Sequence, residues 1–65
     1  MKRLPNIGDR LVVQGMSKMN STVESIRWDP QSVDWLIVVD WGSYGKSRVW
    51  ARDEGSIWKR WIDLN

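Results

Sequence analysis

Six tryptophans stand in a chain of 65 residues that has no phenylalanine, no cysteine and no histidine. A chain this short buries only about 60% of the surface that its unfolded form exposes, so its stability is marginal on geometry alone. Without cysteine there is no disulfide and no thiolate metal site, and without histidine the commonest zinc ligand is missing. Packing or self-association has to supply the stability instead. Each buried indole withdraws about 150–250 Å² from water, so a few of them can replace a longer chain's aliphatic core. An indole also carries a wide π-face and an N–H, which suits positions with one dry edge and one wet edge. The aromatic residues are therefore expected to serve both core and surface.

The length allows one domain, taken as residues 1–65 with a lead-in over 1–7. Pro5 and Asn6 punctuate the lead-in, and Gly8-Asp9 signals a turn. Strands are expected over 10–14, 22–29, 35–41 and 47–52, with polar loops over 16–21 and 53–56 between them. In the second strand Val23 and Ile26 fall out of phase, which points to a bulge near Ser25. Asp29-Pro30-Gln31-Ser32 and Gly42-Ser43-Tyr44-Gly45 are turns. In the third strand Trp35, Ile37, Val39 and Trp41 would line one face, and Leu36 and Val38 the other. The close over 57–64 fits a single helical turn followed by a short strand, with Trp58 and Trp61 on one side of the turn. Short strands joined by tight turns, with no room for a long helix, give an all-β barrel or small sandwich.

The order of elements resembles the SH3-like barrel group, to which Tudor, chromo-barrel and KOW modules belong. The resemblance is carried by Ile7-Gly8-Asp9-Arg10-Leu11-Val12-Val13, Thr22-Val23-Glu24-Ser25-Ile26 and Trp35-Leu36-Ile37-Val38-Val39-Asp40-Trp41. The ending, Trp58-Lys59-Arg60-Trp61-Ile62-Asp63-Leu64, resembles the chromo-barrel close. It implies a small SH3-like barrel of about five strands with a helical turn near the C-terminus. It does not imply one activity, because this barrel hosts many. Plasmid-borne type II dihydrofolate reductases share the Gly-Asp-Arg start. Where their catalytic Val-Gln-Ile-Tyr would fall, this chain has Ser47-Arg48-Val49-Trp50, without the required glutamine.

There is no His or Cys to act as base or nucleophile near neutral pH, which leaves carboxylates as the candidates. Asp29, Asp34 and Asp40 sit at turns or strand ends, where Asp serves as a capping residue. The chain is therefore expected to be a non-catalytic binding module without cofactor or metal. With ten Lys and Arg against eight Asp and Glu it is only mildly basic. No apolar run reaches membrane-spanning length and Met1-Lys2-Arg3 leads into no apolar segment, so a cytoplasmic protein without membrane contact is expected.

Nucleic acid is the favoured partner. In the fourth strand Arg48, Trp50 and Arg52 would share an outward face while Val49 and Ala51 point to the core. A Trp between guanidinium groups stacks a base while the cations hold phosphates. Lys46, Lys59 and Arg60 would extend the patch. The competing role for Trp50 is to cover the barrel's end. The alternative partner is a protein or a second copy of the chain. In that case Trp28, Trp41 and Tyr44 with Asp40 or Asp29 would form an aromatic cage for a cation, or exposed Trp side chains would mediate assembly. Trp35, Trp58 and Trp61 are assigned to core or interface.

Overall fold

The computed structural model describes residues 4–15 and 21–64. The described residues form five antiparallel strands: β1 (Arg10–Val13), β2 (Ser21–Asp29), β3 (Asp34–Asp40), β4 (Lys46–Trp50) and β5 (Trp58–Arg60). They make one sheet in the order β4-β3-β2-β1-β5. Short 3-10 turns lie between β3 and β4 at Gly42–Tyr44 and between β4 and β5 at Ala51–Asp53, and a third, Trp61–Leu64, follows β5. The expected all-β class is thus observed. The expected loop over 16–21 and the leading Met1-Lys2-Arg3 lie outside the described residues, except that Ser21 opens β2.

Alternation of apolar residues builds the core. Leu11 and Val13 from β1, Val23 from β2, Ile37 and Val39 from β3, Val49 from β4 and Trp58 from β5 are buried, and Trp41 joins them just past β3. Ile26 and Ala51 pack against this cluster. The bulge expected near Ser25 is present: Val23 pairs with Val39, but Ser25 already pairs with Val38, so Glu24 is the extra residue. That single insertion lets both Val23 and Ile26 face inward, since it shifts the side-chain period by one. Among the described residues no buried side-chain nitrogen or oxygen lacks a hydrogen-bond partner.

Two local readings need correction. β4 ends at Trp50, and Arg52 belongs to the 3-10 turn Ala51–Asp53 rather than to the strand. At the C-terminal end the order is reversed, with strand β5 first and the helical turn after it. Trp58 therefore lies on a strand and is buried, whereas Trp61 opens the final turn with 39% of its surface exposed. The physical reason is β5's pairing with β1, in which Val13 faces Trp58 and Leu11 faces Arg60. Sheet formation overrides the three-residue spacing that read as helical.

Candidate nucleic-acid interface

Cross-strand register fixes which side chains share the outer face of β2, β3 and β4. Arg27 pairs with Leu36, and Leu36 with Trp50; in the next outward row Ser25 pairs with Val38, and Val38 with Arg48. Neighbouring strands are about 4.8 Å apart and same-face residues along a strand about 6.6 Å apart. The result is a small grid: a half-buried aliphatic centre of Leu36 and Val38, with Trp50 and Arg48 on one side and exposed Arg27 on the other. Arg48 is exposed, Trp50 half-buried and Val49 buried beneath them. Among the described residues neither Arg27 nor Arg48 has a carboxylate within ion-pair distance.

Of the remaining cations expected in the patch, Lys46, Arg52 and Arg60 are paired within the chain and Lys59 lies elsewhere. Lys46 Nζ lies 2.6 Å from Glu24 Oε1, the carboxylate that the bulge projects outward, and this contact raises the pKa of the ammonium above its ordinary value. Arg52 donates from Nε to Asp34 Oδ2 at 2.9 Å and from Nη2 to the Ser32 carbonyl at 2.9 Å. Its guanidinium stands 5.8 Å from the Trp50 ring, so it flanks the indole while neutralised by Asp34. Arg60 is buried, with Nε 3.3 Å from Glu54 and Nη1 4.0 Å from Asp9. Lys59 is exposed on β5, the strand at the opposite edge of the sheet from β4. The six expected residues are therefore not one patch; Arg48 and Trp50 are brought together, with Arg52 beside them.

Asp34 organises this end of the face. Burial disfavours its charged form, but hydrogen bonds from the backbone N–H groups of Arg52 and Trp35 and from the Arg52 side chain outweigh that. Together with the nearby positive charge they hold the carboxyl below its ordinary range. The backbone of Trp50 is fixed from inside, where the buried Trp58 indole donates to the Trp50 carbonyl at 2.8 Å.

The cage residues do not converge. Trp28 pairs with Trp35 at the start of β3, whereas Trp41 follows the far end of that seven-residue strand. At about 3.3 Å per residue the separation is on the order of 20 Å. Trp41 is buried, with its indole N–H donating to Ser47 Oγ at 2.8 Å. Tyr44 is 73% exposed in the turn, and Asp40 accepts the Gly42 N–H. Trp28 instead meets Trp35 in an edge-to-face contact, ring centroids 5.4 Å apart and planes at 66°. Trp35, expected in the core or at an interface, is 37% exposed because it lies beyond the last core row, Ile26–Ile37–Val49.

Sequence reasoning missed Arg27. The signal was in the bulge: once Ser25 follows an inserted residue, Arg27 shares its outward face. Among the described residues there is no group of three or more Asp and Glu placed to hold a metal ion, and no helix long and apolar enough to cross a membrane. No protein-family model, curated protein or solved structure matches the chain.

Proposed function

We propose that the chain is a non-catalytic binding module that takes single-stranded nucleic acid on the outer face of β2, β3 and β4. One observation carries this reading. Trp50 presents an indole beside Leu36 and Val38, with Arg48 along its strand and Arg27 across the same row, and neither guanidinium is matched by a carboxylate among the described residues. A base can stack on the indole while the two cations meet neighbouring phosphates. The strand order and the 3-10 turn between β4 and β5 support placing the fold with SH3-like barrels, in keeping with the sequence resemblance.

The test is titration of a labelled oligonucleotide of about ten nucleotides, within the usual span of a small single-strand site. Affinity is expected to fall between about 50 and 200 mM salt. Trp50→Ala is expected to weaken binding about 5- to 100-fold, the loss of one stacked base, with the circular dichroism spectrum unchanged. No binding at micromolar protein, or affinity indifferent to salt, overturns the proposal. Sedimentation that depends on protein concentration, with no oligonucleotide bound, would point to self-assembly instead.

A further inference from the structure

We infer that Trp28 and Trp35 form a second stacking station for the strand bound at Trp50, an inference that rests on the reading just given. The pair occupies the ladder position next to Arg27–Leu36–Trp50, one residue further toward the end of the β2–β3 hairpin. Alternation turns it to the opposite face of the sheet from Trp50. There it extends the inward side beyond the core, leaving Trp28 48% and Trp35 37% exposed. Water-exposed indoles in contact, each orienting the other at 66°, are preorganised to receive a flat ring with little further loss of side-chain freedom.

The charge between the two stations selects the occupant. Arg27 is the chain neighbour of Trp28 and stands in the same row as Trp50, on Trp50's face of the sheet. Of the nearby carboxylates Asp34 is neutralised by Arg52, whereas Asp29, whose Oδ1 accepts the Gln31 N–H, keeps its charge and confines the phosphates to the Arg27 side. A strand whose backbone meets Arg27 beside Trp50 would reach the Trp28–Trp35 pair by passing around the hairpin end over several nucleotides. Only a flexible single strand can make that turn, because the stations face opposite ways. The same geometry excludes a duplex from using both.

Three proteins, the unaltered chain, Trp28→Ala and Trp50→Ala, are titrated with oligonucleotides of about three and about twelve nucleotides, lengths below and within the usual range for such sites. Trp28→Ala is expected to weaken the longer ligand about fivefold or more and to leave the shorter one unchanged; Trp50→Ala weakens both. If Trp28→Ala binds the longer ligand as the unaltered chain does while Trp50→Ala does not, the second station is wrong and the first stands. If Trp50→Ala changes neither, the nucleic-acid reading itself fails. Should Trp28→Ala unfold, photocrosslinking of an iodouridine oligonucleotide to the unaltered chain decides the matter. Crosslinks at Trp28 or Trp35 as well as Trp50 are expected, and crosslinks at Trp50 alone overturn the inference.

Discussion

The indole N–H of Trp58, a side chain only 1% exposed, donates to the backbone carbonyl of Trp50 at 2.8 Å. One tryptophan of the core thereby fixes the strand end that presents another tryptophan to solvent. Trp58 lies on β5 and Trp50 on β4, the two edge strands of the sheet, so the bond also ties those edges together.

Replacing Trp58 by Phe removes this donor and some core volume but keeps an aromatic ring. The cost is expected to be about 2–3 kcal/mol, combining the loss of a buried hydrogen bond with a partly filled cavity. In a domain of this size each kcal/mol moves the melting temperature by about 4–8 °C, so a drop of roughly 10–20 °C is expected. A thermal melt followed by circular dichroism checks it. A shift of only a few degrees would mean that neither the bond nor the volume matters.

Much of this architecture is written in the sequence at short range. The inward set Ile37, Val39 and Trp41 follows from alternation, and the bulge at Glu24 from the phase conflict between Val23 and Ile26. What alternation does not carry is where a strand stops. Arg52 continues the apparent period of Arg48 and Trp50, yet the chain turns at Ala51, and Arg52 folds back on Asp34, eighteen residues earlier. Nor does alternation reveal partners. Lys46 reads as a free cation until the bulge places Glu24 beside it, and Arg60 reads as a surface residue until β1–β5 pairing turns it inward toward Glu54 and Asp9. The Trp28–Trp35 contact was equally hidden, because it depends on the register of a hairpin whose turn lies between them.

The Asp34–Arg52 contact predicts a response to acid. The folded-state pKa of Asp34 lies below its ordinary value of 3.8, so the unfolded chain takes up the proton first as pH falls. The stabilisation is therefore complete above about pH 4 and is lost as pH drops through the folded value. Asp34→Asn is expected to melt roughly 5 °C or more lower at pH 7, the effect of losing about 1 kcal/mol of charge-assisted hydrogen bonding. The same variant should show a flatter dependence of melting temperature on pH between about 2 and 5. A variant that tracks the unaltered chain across that range would show that Asp34 does not couple folding to protons.

Backbone conformation marks two positions where substitutions should have opposite signs. Val33 adopts φ 52° and is 72% exposed, so a β-branched residue holds a left-handed conformation with little packing in return. Val33→Asn is expected to stabilise by about 1 kcal/mol, since Asn tolerates that region. Gly45 has φ 101° and ψ −151°, a region essentially reserved for glycine, and its carbonyl accepts the Trp41 N–H at 2.8 Å. Gly45→Ala is expected to cost about 1–3 kcal/mol. Urea denaturation of both variants gives the two signs, and a stabilising Gly45→Ala would contradict the assigned turn.

On the proposed nucleic-acid site, salt dependence would separate the cations that meet the ligand from those already paired within the chain. Arg27 and Arg48 flank Trp50 without a carboxylate partner among the described residues, whereas Lys46 is bound to Glu24 and Arg52 to Asp34. Removing one cation that neutralises a phosphate should reduce the slope of log affinity against log salt by roughly 0.7 for a single strand. Arg27→Ala and Arg48→Ala are each expected to lower that slope by about this amount and to act additively when combined, since on the proposed site they would meet different phosphates. Lys46→Ala should leave the slope almost unchanged, because the ligand would otherwise have to displace Glu24 before reaching the ammonium. Arg52→Ala should lower thermal stability by depriving Asp34 of its partner, and should change the slope less than either Arg27→Ala or Arg48→Ala. A large slope change in Lys46→Ala, with none in Arg48→Ala, would move the phosphate path away from Trp50 and toward the Gly42–Gly45 turn.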